Sequence, residues 1–156
     1  MNSGSKEFER RFLVNDYFNQ LNLSDYKASN ITQCYLSVYP AIRVRKVSML
    51  YDEYYMTIKG LENDEFEDRI DAYRYERLSK LSESLNLDPI EKIRYNIGRF
   101  EVDIFQNKNK GLIIAEIELS NMSEEFEKPQ WLGEEITNVI KYKNSVLAQY
   151  PKETWR

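Results

Sequence analysis

Histidine is absent from the 156 residues, which removes every mechanism built on an imidazole base, every His-containing triad and every His-ligated metal site. Any metal this chain holds must sit on oxygen. Cysteine is nearly absent: Cys34 alone forms neither an internal disulfide nor a Cys-rich zinc site, and an unpaired thiol fits a reducing compartment, so a cytoplasmic location is expected. Five Gly and four Pro leave no Gly/Pro-rich linker, and no repeat of fixed period interrupts the chain. A single domain over residues 1–156 is therefore the reading. No apolar run approaches the ~18 residues of a membrane span, and Met1–Ser5 lacks an apolar signal region. No membrane partner is expected. The net charge is −4, and residues 1–78 and 79–156 each carry 11 basic and 13 acidic groups. Neither half offers the basic surface that a nucleic acid partner normally requires.

What the chain does contain is core-forming material: 42% hydrophobic residues, with twelve Tyr, seven Phe and two Trp, too much for a disordered chain. Strand-like alternation recurs in Lys6–Asn15, Ile31–Pro40, Ala41–Val47, Tyr54–Gly60, Glu65–Asp71, Glu91–Ile97, Arg99–Gln106 and Leu112–Ser120, which predicts about eight strands. Turn residues at 96–98 and 107–111 make the last three an antiparallel meander. Ala72, Tyr75, Leu78, Leu81 and Leu85 recur at helical spacing, predicting an amphipathic helix from about Asp71 to Asn86 that ends before Pro89. Residues 16–29 suit a short helix, Ser123 with Glu124 and Glu125 a capped turn ending at Pro129, and a last helix is expected within Lys141–Tyr150.

Residues i and i+2 of a strand share a face, so charge can be sorted by side. Glu7, Glu9 and Arg11 share one face of the first segment, and the pattern repeats with Arg43 and Arg45, Thr57 and Lys59, Glu65 and Glu67, Lys92 and Arg94, Glu101 and Asp103, and Glu116 and Glu118. For one strand, a charged face is simply the solvent side. Six of these seven segments carry like-signed pairs, which need compensation because like charges at this spacing repel. If the sheet closes with these faces inward, the lumen holds eight carboxylates (Glu7, Glu9, Glu65, Glu67, Glu101, Asp103, Glu116, Glu118) and six cations (Arg11, Arg43, Arg45, Lys59, Lys92, Arg94). Cations grip phosphate oxygens, and carboxylates hold hard divalent ions such as Mg²⁺ or Mn²⁺. The expectation is a polyphosphate site.

The segment Glu7–Val14 resembles the N-terminal E-x-E-x-K signature of the CYTH proteins, the triphosphate tunnel metalloenzymes, which include class IV adenylate cyclases, thiamine triphosphatases and inorganic tripolyphosphatases. Further resemblances follow in family order: Ile31–Leu36 to I-x-Q-G-Y-L, Arg43–Arg45 to R-x-R, Thr57–Gly60 to T-I-K-G, Lys92–Tyr95 to K-x-R-Y. Glu101–Phe105, Gly111–Leu119, Trp131–Gly133, Glu135–Thr137 and Tyr142–Asn144 resemble the bacterial branch, so the similarity spans about residues 6–150. It implies a mainly β fold with flanking helices, an eight-stranded antiparallel closed β-barrel tunnel. It also implies that Glu7, Glu9, Glu116 and Glu118 bind metal, that Arg11, Arg43, Arg45, Lys59, Lys92 and Arg94 bind triphosphate, and that Arg11, Lys59 and Glu118 serve catalysis. Glu65, Glu67 and Asp103 are second choices, since ion pairing with the lumen cations accounts for them equally well. Two departures stand out: Arg11 replaces the motif lysine, and Asn63 stands where an arginine often precedes the middle acidic pair. Cys34 takes a position that is usually glycine and is expected to face away from the tunnel.

The leading expectation is metal-dependent hydrolysis of inorganic tripolyphosphate, with Mg²⁺ or Mn²⁺ as cofactor. Phosphoryl transfer depends mainly on positioning and charge neutralisation, so no histidine is needed. The alternatives are a class IV-type adenylate cyclase, a thiamine or nucleoside triphosphatase, and a non-catalytic nucleotide- or polyphosphate-binding module. The chain is expected as monomer or homodimer.

Overall fold

The computed structural model describes residues 3–156. Ten strands form one sheet: β1 Ser3–Lys6, β2 Phe8–Val14, β3 Ala28–Ser37, β4 Ile42–Ser48, β5 Asp52–Lys59, β6 Asp64–Ile70, β7 Ile90–Ile97, β8 Phe100–Phe105, β9 Ile113–Leu119 and β10 Leu132–Glu135. Their order is β1-β6-β5-β4-β3-β7-β8-β9-β2-β10, with every pairing antiparallel. All eight expected strands are present, and the β7-β8-β9 meander is as predicted. Two differences follow from the N- and C-terminal segments. The first predicted strand is interrupted at Glu7, so β1 pairs with β6 while β2 pairs with β9, and residues 132–135 add an edge strand beside β2. β1 and β10 are the two edges, so the hydrogen-bonded ladder is open where a closed eight-stranded barrel was expected. The sheet nevertheless has to curl. β1 and β2 are separated by one residue in the chain yet lie near opposite ends of the strand order, and the Glu7 N–H donates to the Asn63 carbonyl across that junction at 2.9 Å.

The outer face is the apolar one. Helix α1, Ala72–Ser84, starts where the Asp71 carboxylate accepts the Arg74 N–H at 2.8 Å and stops near Asn86, whose φ of 58° is left-handed. Its Tyr75 and Leu78 pack on Cys34 and Val44, with Tyr54, Met56 and Ile70 around them. Cys34 thus faces away from the charged side. A second outer cluster joins Phe12, Phe100, Val102, Ala115 and Ile117 to Phe18 and Trp131. Phe18 lies in a 3-10 helix, Asp16–Gln20, which with Leu23–Asp25 replaces the short helix expected over 16–29.

A third cluster lies on the inner face. Along β2, β7, β8 and β9 the positions in line with the charged pairs change to Leu13, Ile90, Phe105 and Ile114. Helix α2, Asn144–Leu147, together with a 3-10 turn Ile140–Tyr142, covers them with the fully buried Leu147 and Ala148. α2 falls within the Lys141–Tyr150 segment where a last helix was expected. Near 121–124 the turn is built by Asn121, whose side chain accepts from the Ser123 N–H, and Glu124 instead accepts from Ser120. Among the described residues no helix is long and apolar enough to cross a membrane.

Candidate active site

Directly opposed residues in adjacent strands share a face, so the register identifies the inner surface. Arg11 lies opposite Glu116 and Glu9 opposite Glu118, Glu116 opposite Glu101, and Asp103 opposite Arg94. On the other side Arg43 lies opposite Thr57 and Tyr35, Arg45 opposite Gln33, Thr57 opposite Glu67, and Lys59 opposite Glu65. Every strand-borne residue expected to face inward therefore does so, and Glu7 joins them at the β1–β2 break through its contacts with Glu65 and Glu118.

Three electrostatic groups emerge. In the first, Asp103 bridges two cations: Lys92 Nζ lies 2.8 Å from Oδ2, while Arg94 reaches Oδ1 through Nε at 2.7 Å and Oδ2 through Nη2 at 3.0 Å. Asp103 is 1% and Lys92 3% exposed. Burial alone would raise the Asp103 carboxyl, yet Lys92 and Arg94 hold it well below the usual carboxylate range. Burial pushes Lys92 down to about 8 against the pull of Asp103. Lys92 also donates to Asn144 Oδ1 at 3.1 Å.

The second group is cationic and underpaired. Arg43 Nη2 is 4.0 Å from Glu65 and Arg45 Nη2 is 3.6 Å from Glu67. The Nε atoms of both arginines are buried and have no hydrogen-bond partner among the described residues. Burial, and then the neighbouring Arg43, push Arg45 below its ordinary value. Lys59, more exposed, pairs with Glu65 at 3.0 Å. Arg11 donates from Nη2 to the Tyr142 carbonyl at 2.9 Å and stands 3.8 Å from Glu116.

The third group is acidic. Burial, then Glu65 and Glu118, raise the Glu7 carboxyl to about 7. Glu116, then burial, raise Glu9 to about 7. Glu116 is held low in spite of burial by Arg11 and Arg94. Such pairs retain a proton because two adjacent carboxylates resist ionising together, and a cation satisfies the same demand. Among the described residues no three carboxylates converge into a finished ion cage. Two facing oxygen pairs nonetheless have the donor chemistry of a hard divalent ion, which can take one or two carboxylates and complete its shell with waters and substrate phosphates.

Sequence reasoning placed Thr57 on this face but missed Gln33, Tyr142 and Asn144 as contributors to this surface. Gln33 carries the right strand parity and was legible as an inner-face position. Tyr142 contributes a carbonyl and Asn144 sits outside any strand, so no periodicity marks either. Asn63, at φ 65°, occupies the β5–β6 turn that meets Glu7.

No family model matches the sequence. Over 161 aligned residues the chain is 34% identical to the inorganic triphosphatase of Acetivibrio thermocellus, covering 97% of this chain and 98% of that protein. It is 31% identical over 153 residues to the inorganic triphosphatase of Nitrosomonas europaea, covering 91% and 96%. The crystal structure of the inorganic triphosphatase NE1496 superposes with a TM-score of 0.63 at 31% identity, over 92% of this chain and 95% of that one. The PH1819 protein from Pyrococcus horikoshii OT3 shares the fold at a TM-score of 0.53 and 19% identity, over 80% and 92%.

Proposed function

The chain belongs to the CYTH family of triphosphate tunnel metalloenzymes, in its bacterial branch, and on that premise we propose that it is a hydrolase of phosphoanhydride bonds acting on inorganic tripolyphosphate. The observation that carries this reading is the pair of buried, unpartnered guanidinium Nε atoms of Arg43 and Arg45 on the same curled face as the proton-retaining carboxylates. Buried donors without acceptors are costly, and a polyphosphate chain provides the acceptors. We read the curled sheet as a tunnel whose wall is completed where β1 hands over to β2 at Glu7. The full-length similarity to two inorganic triphosphatases supports the same substrate class.

In this reading Arg43 and Arg45 donate to non-bridging oxygens and fix the chain in register. Lys92 and Arg94, already tied to Asp103, add a positive field with little reorganisation. Arg11 and Lys59 balance charge near the acidic pairs, and Arg11, lacking an exchangeable proton at neutral pH, acts by charge and hydrogen bonding alone. Glu7, Glu9, Glu116 and Glu118 would hold Mg²⁺ or Mn²⁺. When bound, the divalent ion supplies charge neutralisation at phosphate oxygens and acidifies the attacking water. Glu118 would be the carboxylate that accepts a proton from the attacking water. Asp103, Glu65 and Glu67 act as counter-ions to the cations rather than as metal ligands. A reducing, cytoplasmic setting suits the lone buried Cys34.

The test is phosphate release from tripolyphosphate with each metal, run beside pyrophosphate, thiamine triphosphate and ATP, with cyclic AMP measured in the ATP arm. Release from tripolyphosphate above the other substrates is expected. Folded protein that releases none with either metal would sink the proposal, and cyclic AMP formation would make the chain a cyclase.

A further inference from the structure

Gln33 is fully buried on the inner face, opposite Arg45 of β4 and Ile90 of β7. Its Nε2 donates to the Tyr35 hydroxyl at 3.0 Å, while its Oε1 is buried without any partner. The two other buried unpartnered polar atoms on this face are the Nε groups of Arg43 and Arg45 among the described residues. Both belong to residues that the register sets opposite Tyr35 and Gln33. Three orphaned polar atoms on two adjacent strands form a built site for a ligand rather than a packing accident, because buried polar groups are almost always paired.

The amide differs from its charged neighbours in having one donating and one accepting end. Tyr35 can hold either end, because a phenol hydroxyl both donates and accepts. With the amide as it stands, its accepting end is the one left without a partner; rotated by half a turn, the NH₂ becomes the free end and Oε1 accepts the Tyr35 O–H. A polyanion repels the first arrangement and attracts the second. We propose that Gln33 is a substrate-binding residue: its amide turns over on binding and donates from Nε2 to a phosphate oxygen beside Arg45, with Tyr35 holding the other end. The inference rests on the polyphosphate reading of this site and adds a neutral, reorienting donor to its cationic grip.

Two measurements test it. The first is the side-chain amide resonance of Gln33 in the ¹⁵N-labelled wild-type protein, titrated with tripolyphosphate in the absence of divalent metal and then with pyrophosphate. The Gln33 NH₂ signals are expected to shift and slow in exchange with water. The second is tripolyphosphate affinity and KM in Gln33→Glu, which keeps size but replaces the donor by a repelling carboxylate, and in Gln33→Met, which keeps length and removes the donor. Losing a hydrogen bond to a charged group corresponds to about tenfold in KM; Gln33→Glu is expected to lose more than Gln33→Met, with kcat changed less. An unmoved Gln33 resonance, or variants that bind tripolyphosphate as tightly as wild type, overturns the inference. Wild-type protein that neither binds nor hydrolyses tripolyphosphate overturns the reading of the site itself, so the two failures are distinct. If a variant does not fold, the wild-type resonance decides alone.

Discussion

Arg45 shows how this surface sets binding against stability within one residue. Its Nε is buried without a partner, its one ion pair with Glu67 is at 3.6 Å, and burial holds it below its ordinary value. A residue so placed contributes little to folding and much to an incoming anion. Arg45→Ala is therefore expected to raise the KM for tripolyphosphate by tenfold or more while leaving the melting temperature level or slightly higher; a fall in melting temperature with unchanged KM would contradict this. The residue identities were visible in the sequence, because the R-x-R spacing puts Arg43 and Arg45 on one side of a strand. Their lack of partners was not visible. It depends on how far Glu65 and Glu67 stand from them across β5 and β6, which no local pattern encodes.

At the scale of elements, β7 and β8 behave in the opposite way. Asp103 is bound to both Lys92 and Arg94; Asp103 and Lys92 are withdrawn from solvent and Arg94 is mostly covered. Removing one member of a buried ionic group leaves the others uncompensated, at a cost of about 3–5 kcal/mol. Asp103→Asn should therefore destabilise the protein far more than Arg45→Ala, as read by denaturant titration, and equal effects would show that the triad is not the brace it is taken for. α1 followed from its helical spacing and Asp71 cap. α2 did not: its four residues are too few for a periodic signal, and what fixes it is burial of Leu147 and Ala148 over the apolar end of the inner face. The same packing brings the Tyr142 carbonyl to Arg11 and Asn144 to Lys92.

For the whole molecule, the acidic pairs link stability to pH. Glu7 and Glu9 have folded-state values raised to about 7 from the ordinary 4.5, so between those values the folded protein holds protons that the unfolded chain releases. Their contribution is complete below about 4.5 and is lost as pH rises through about 7. Asp103, Glu116, Glu124 and Glu135 are shifted the other way, so what they contribute is lost only in acid, and Lys92 adds no opposing change until about pH 8. Chelated, metal-free protein should therefore melt at lower temperature at pH 8 than at pH 5. Added Mg²⁺ or Mn²⁺ should flatten that slope by replacing the protons. A slope that rises from pH 5 to 8 without metal would rule out the acidic pairs as its source.

The sequence by itself determined which side of each strand is charged, where α1 forms, that Cys34 points outward, and which family the chain resembles. These are properties of neighbours a few residues apart, fixed by the two-residue period of a strand and the 3.6-residue period of a helix. Only the tertiary structure decided which charges neutralise one another and which remain unpaired. Asp103 serves two cations, Glu7 and Glu9 face other carboxylates, and Gln33, Arg43 and Arg45 keep buried atoms without partners. Those outcomes depend on inter-strand register and on the curl that brings β1 and β2, near opposite ends of the strand order, together at Glu7. Pairing energies fall steeply with distance, so a displacement of one residue in register would exchange paired groups for unpaired ones.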